Sequence, residues 1–259
     1  GDYNLTSDNE TIVGSNFNSL LVSGSLTINP KAITVNAADK TKTYGDANPA
    51  LTYSITSGAL VGSDTLTGSI TTAATTTSSV GDYDITQGTL TNANNTNYAI
   101  TYVDGTLTVN QKTLTATASA ADKTYDGTTV ATVTLTLSGV ISGDTVTSST
   151  AATFTQSDVG TNLTATVNSI TLSGADSGNY AISSGQTDTA DINQLSSVAW
   201  TGNAGDGLWS TAGNWLNSLL PDGTNVASAS IPLSAAVTFD SDDVQSTTAS
   251  IVNSGTLTF

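Results

Sequence analysis

Two groups of side chains in this sequence are of types that can do chemistry. Asp240, Asp242 and Asp243 crowd into one turn. Calcium takes roughly six to eight oxygens from carboxylates and carbonyls, so this trio is the candidate metal site. The competing reading is that these are solvated turn residues that keep an acidic chain soluble. Trp200, Trp209 and Trp215 are the three tryptophans of the chain. Aromatic faces stack on pyranose rings, which makes these three a candidate glycan platform. The competing reading is a small core, built where the chain changes type, in which the indoles bury one another.

Other chemistries are closed off by residue type. The chain has no His and no Cys, which removes a Ser-His-Asp triad, a thiol nucleophile and a zinc site. Its aspartates sit mostly in Gly-Asp and Asp-Gly turns, where they serve backbone geometry, rather than as a catalytic carboxylate pair. No Gly-rich turn runs into a Lys-led helix, so no phosphate loop is present. Glu10 is the sole glutamate, so a Lys–Asn crosslink lacks its usual acid. The reading is of a protein that is not an enzyme and needs no cofactor beyond the candidate calcium.

Charge narrows the partners. Five Lys and no Arg stand against 21 acidic residues, for a net charge of −16. Phosphate binding needs clustered cations, so nucleic acid is excluded as a partner. No apolar run approaches the roughly 20 residues of a membrane helix, which argues against membrane insertion. Abundant Thr, Ser, Asn, Asp and Gly, with no Cys, reads as a secreted or surface-exposed chain.

The elements that must position these side chains come from a repeat. Ala37-Ala38-Asp39-Lys40-Thr41-Lys42-Thr43-Tyr44-Gly45-Asp46 returns as Ala120-Ala121-Asp122-Lys123-Thr124-Tyr125-Asp126-Gly127. Nearly the same spacing separates Gly1-Asp2-Tyr3 from Gly81-Asp82-Tyr83 and Gly24-Ser25-Leu26-Thr27 from Gly105-Thr106-Leu107-Thr108. Matching punctuation at one period means tandem modules. Residues 1–30 read as the back half of a module, 31–111 as a complete one, 112–194 as a second of slightly different type, and 195–259 as a Trp-containing β segment that starts a further domain. The chain is expected to be a product or excerpt of a longer polypeptide, since it opens in mid-module and stops on an apolar strand.

Period-two alternation of Thr with Val, Ile and Leu predicts strands throughout and no helix. Strands are expected at Ile33–Val35, Leu51–Ile55, Leu66–Thr71, Val80–Ile85 and Tyr98–Val103, with Asp104-Gly105 as a type I′ hairpin turn. In the second module they are expected at Val130–Leu137, Thr145–Ser148 and Leu163–Leu172. Gly174 to Tyr180 is read as the counterpart of Gly81-Asp82-Tyr83, with Tyr83 and Tyr180 as core tyrosines. Lys42 and Lys123 are placed to pair with a turn Asp. The fold class is all-β: tandem Ig-like sandwich modules, then a β-rich segment whose short strands are rungs of a solenoid or part of a further sandwich.

At Lys42-Thr43-Tyr44-Gly45-Asp46-Ala47-Asn48-Pro49, Gly81-Asp82-Tyr83, Asn97-Tyr98 and Gly105 to Val109 the sequence resembles the MBG module of giant bacterial surface proteins. At Lys123-Thr124-Tyr125-Asp126-Gly127, Gly143-Asp144, Val159-Gly160-Thr161, Leu172 to Tyr180 and Ala190-Asp191-Ile192 it resembles the YDG module that accompanies MBG repeats. Trp200 to Pro221 is similar to openings of β-rich segments in filamentous-haemagglutinin-like exoproteins. The resemblance implies stalk or scaffold repeats of a secreted adhesin of a Gram-negative bacterium, exported by two-partner secretion. It carries no catalytic residues. Alternatives from the residues are a module that binds extracellular polysaccharide through 195–259, or a subunit that self-associates through unpaired β edges. Other cell-surface proteins are further candidate partners.

Overall fold

The computed structural model describes residues 2–5, 24–240 and 250–258. Among them the protein is all-β; its helices are three-residue 3-10 turns. The chain forms two compact units, Gly1–Gln111 and Lys112–Phe259.

The first unit opens on an antiparallel pair, β1 (Asp2–Leu5) with β2 (Gly24–Thr27). The complete module follows as β3 (Lys31–Ala37), β4 (Lys40–Thr43), β5 (Tyr53–Ser57), β6 (Thr71–Thr72), β7 (Gly81–Thr86), β8 (Tyr98–Val103) and β9 (Gly105–Asn110). It is a sandwich of two sheets, ordered β5-β3-β8 and β4-β9-β7-β6. Alternation sets the faces. Ile33 and Val35 of β3, Ile85 of β7 and Leu107 of β9 point inward, and Ile70, Leu90 and Tyr98 complete the core. Thr and Asp take the outward positions, where the Thr108 hydroxyl donates to Asp82 across the strands at 2.7 Å. The repeat is visible as register: Tyr3 faces Leu26 as Tyr83 faces Leu107, and Leu5 faces Gly24 as Ile85 faces Gly105.

Two strand expectations are corrected here. Asp104-Gly105 is no hairpin turn. β8 pairs in parallel with β3, while β9 lies between β4 and β7 in the other sheet. The chain therefore crosses between layers at Asp104. Gly105 is needed for close approach, since a Cβ there would stand 3.0 Å from both the Cβ and the carbonyl oxygen of Ala37. Alternation marks both strands but does not say which partner takes them. The Leu66–Thr71 run is mostly irregular, with only Thr71–Thr72 as an edge strand.

In the second unit come β10 (Lys112–Thr113), β11 (Thr115–Ala120), β12 (Lys123–Thr124), β13 (Val130–Ala131), β14 (Val133–Ser138), β15 (Thr147–Phe154), β16 (Gly160–Ser173), β17 (Tyr180–Ala181) and β18 (Thr187–Asn193). A five-stranded sheet, β12-β18-β16-β15-β13, faces the β11-β14 pair. Val133, Phe154, Ala165, Val167 and Ile192 form its core. The expected Val130–Leu137 strand is divided at Thr132, because its two halves join different sheets.

The same unit continues through β19 (Val198–Ala199), β20 (Ser228–Ile231), β21 (Ala236–Thr238), β22 (Ser250–Asn253) and β23 (Thr256–Thr258). All pair in parallel: Val198 with Ala229, Ala229 with Ile251, and Val237 with Leu257. The parallel ladder thus sets Val198 beside Ala229 and Ala229 beside Ile251. Stacked parallel circuits are the rungs of a β-solenoid.

Candidate functional site

The Lys-Thr-Tyr stretch occupies the same station in both modules. β4 runs parallel to β9, with Lys42 opposite Val109, and β12 runs parallel to β18, with Lys123 opposite Ile192. The next residue closes each ladder: the amides of Tyr44 and Tyr125 donate to the carbonyls of Asn110 and Asn193, both at 2.8 Å. Each lysine then folds into the turn. Lys123 Nζ donates to Asp126 Oδ1 at 2.7 Å and to the Thr128 and Val130 carbonyls. Burial works to raise the Asp126 pKa, but hydrogen bonds from Lys123 and Thr128 outweigh it and hold the carboxyl below its ordinary value. Lys42 behaves differently. It is only 7% exposed and donates to two backbone carbonyls, Asp46 at 3.1 Å and Thr75 at 2.5 Å. The expected pairing with a turn carboxylate therefore appears in the second copy, not the first. The turn glycine sits at positive φ in both copies, Gly45 and Gly127, although its place relative to Asp is swapped.

A second repeated device was missed in the sequence. Tyr98 donates its hydroxyl proton to Asp64 Oδ2 at 2.7 Å and accepts from the Val61 amide at 2.8 Å. Tyr180 donates to Asp144 Oδ2 at 2.5 Å and accepts from the Ile141 amide at 2.9 Å. Lys31 faces Tyr98 just as Lys112 faces Tyr180. The counterpart of Tyr180 is therefore Tyr98, not Tyr83; the segment at Gly160 takes the place of Gly81 against the closing strand. The signal was present as Asn97-Tyr98 and Asn179-Tyr180, each downstream of a Gly-containing turn that ends in Asp. Both phenol pKa values are raised, that of Tyr98 mainly by the proton it gives Asp64, that of Tyr180 first by burial and then by Asp144. Tyr83 is half-buried, with its hydroxyl on the Ser79 carbonyl at 2.9 Å.

Comparison with protein families agrees with this geometry. Residues 33–108 match the family model of the MBG domain (YGX type), and residues 110–190 match that of the YDG domain. The chain carries an MBG domain and a YDG domain in tandem. The two turns supply the name-giving residues, Tyr44-Gly45-Asp46 in the MBG domain and Tyr125-Asp126-Gly127 in the YDG domain. No curated protein and no solved structure matches the chain.

The tryptophans lie beyond the YDG domain, inside the solenoid rungs. Trp200, Trp209 and Trp215 are 7%, 4% and 2% exposed. Trp215 meets Trp200 and Trp209 edge-on, with centroids 5.0 and 4.7 Å apart, and Trp209 stacks on Phe239 at 4.4 Å. The Trp215 indole N–H donates to the Trp209 carbonyl at 2.8 Å. Stacking a sugar requires an open ring face, and these rings are buried, packed edge-to-face on one another and, for Trp209, face-on against Phe239. They form the hydrophobic core of the rungs together with Val198, Val226, Ile231 and Val237. Asn214, fully buried beside them, is held by the Asp206 carboxylate at 2.6 Å and the Leu208 carbonyl at 2.9 Å.

Of the calcium candidates, Asp240 takes the Ser210 hydroxyl at 2.5 Å and the Ser210 amide at 3.3 Å. Asp242 and Asp243 lie outside the described residues. Among the described residues no three acidic side chains come together as a metal-binding group. Asp206 and Asp222 instead cap backbone amides. Backbone and side-chain donors hold Asp206 low, and Asp222 is low because Asn225, Val226 and Thr224 outweigh its burial.

Proposed function

We propose that this chain is a non-catalytic stalk or scaffold section of a large secreted or cell-surface bacterial adhesin. The observation that carries the reading is the tandem of an MBG and a YDG domain whose repeated polar residues are used internally. Lys42, Lys123, Tyr98, Tyr180, Asp64 and Asp144 each hold the module's own backbone or turns. Such residues set shape, and shape is what a spacer contributes. A Gram-negative surface and export by two-partner secretion belong to the same proposal, on the strength of the resemblance alone.

The reading is tested on cells and on the purified chain. Antibody against residues 31–194 should stain intact, unpermeabilised producing cells. Purified chain should show no retention on an array of bacterial polysaccharides. Two results would refute the proposal: staining only after permeabilisation, or glycan retention that is lost in Trp209→Ala while the fold survives. The second result would make the rungs a binding module.

A further inference from the structure

We propose that the YDG domain is the N-terminal cap and folding template of the solenoid rungs that follow it. The inference concerns assembly of the chain and does not rest on the adhesin reading.

A parallel rung has no hairpin to hold it, so the first one needs a preformed neighbour. Here the first rung strand, β19, is two residues long. The YDG domain stands against it through three kinds of contact. The backbone passes from β18, ending at Asn193, to the rung bridge at Leu195, with only Gln194 between. The Gln194 side chain donates to the Gly223 and Thr224 carbonyls. Leu195 donates to Asn225 O at 2.9 Å and accepts from Ala227 N at 2.8 Å.

The second contact is apolar. Tyr125, from the turn that names the domain, packs against both the YDG core and the tryptophan core. Beside it Gly127 leaves room for Leu219, whose Cδ2 would lie 2.9 Å from any Cβ added there. The YDG turn is thus fitted to the rungs.

The third contact is a polar clasp. Asn225 is 8% exposed. Its Oδ1 accepts from the Val159 amide of the YDG domain at 2.8 Å, and its Nδ2 donates to Asp222 at 2.8 Å and to Asp158 at 3.3 Å. One buried amide therefore satisfies groups on both sides of the joint.

The dependence runs one way. The YDG core is closed by its own two sheets, with eight residue pairs between β15 and β16 alone. The first rung has two pairs to β20 and takes its shape from the cap.

Hydrogen exchange on the full 259-residue chain tests this with three variants. Val167→Ala loosens the YDG core alone. Exchange at Ser228–Ile231 should rise by roughly tenfold or more, in step with β15 and β16. Ile231→Ala loosens the rungs alone and should leave β15 and β16 protected. Asn225→Ala keeps both cores, opens the clasp, and should raise exchange at β19 and β20 only; it decides the matter if Val167→Ala fails to fold. Rung exchange unchanged in Asn225→Ala, or in a folded Val167→Ala, would overturn the proposal. So would Ile231→Ala disturbing β15 and β16 as strongly as Val167→Ala disturbs the rungs.

Discussion

The Tyr180–Asp144 contact can be removed without opening a cavity. Tyr180→Phe keeps the ring, which is 2% exposed, and takes away one oxygen. That oxygen gives its proton to the Asp144 carboxylate and receives the Ile141 amide. A hydrogen bond to a charged group contributes about 1.5–3 kcal/mol, and a buried N–H left without its acceptor costs about 1–3 kcal/mol. Asp144 and Ile141 are both partly exposed, so water recovers much of each loss. The expected cost is about 2 kcal/mol. For a cooperative unit of this size, each kcal/mol lowers Tm by roughly 2–4 °C, so Tm should fall by roughly 4–8 °C. Urea titration should show a lower midpoint at unchanged slope. Tyr98→Phe should destabilise the first unit in the same direction, and Tyr83→Phe, whose hydroxyl reaches only the exposed Ser79 carbonyl, should do much less. A Tyr180→Phe midpoint within error of the parent, or equal losses in Tyr83→Phe and Tyr180→Phe, would refute the view that this contact fixes the turn.

Two further outcomes follow from the same geometry. Tyr98, Tyr102, Tyr125 and Tyr180 are raised above the ordinary 10.0. Above pH 10 the unfolded chain gives up these protons while the folded chain keeps them, so stability should hold up to about pH 10 and fall beyond it. Asp126, Asp188, Asp206 and Asp222 lie below 3.8, so their contribution should be full above pH 3.8 and fade as the folded groups protonate; urea midpoints across pH check both arms. Lys42→Met keeps the side-chain stem and loses the ammonium that holds the Thr75 carbonyl. Amide exchange at residues 75–79 should rise by roughly tenfold, the effect of about 1.4 kcal/mol, and unchanged exchange would show that the loop needs no such tether.

The strands were legible because Thr alternates with Val, Ile and Leu, and because the repeat placed corresponding strands at one spacing. Strand partners were not. Asp104-Gly105 looks like a hairpin from its flanks, but β8 finds a six-residue parallel partner in β3, and local alternation carries no record of a partner so distant in sequence. The sequence around Tyr180 points to Tyr83 rather than Tyr98 for a related reason. Its preceding Gly-Asp-type turn resembles that before Tyr83, whereas its true equivalence to Tyr98 rests on a carboxylate 36 residues upstream. The tryptophans were recognisable as special, and only the rung pairing shows that they are buried together in one core.

The sheet order of the MBG domain bears on how it would respond to a pull on its two ends. Its first strand, β3, lies between β5 and β8, and its last, β9, between β4 and β7. The strands through which the chain enters and leaves are both interior. Tension on Lys31 or Asn110 pulls along a strand held on two sides, and one neighbour of each runs parallel to it. The hydrogen bonds of those ladders are then strained together, side by side, rather than opened singly from an end. A pull on either end would therefore load an interior strand with a ladder on each side, and would not open a free edge first.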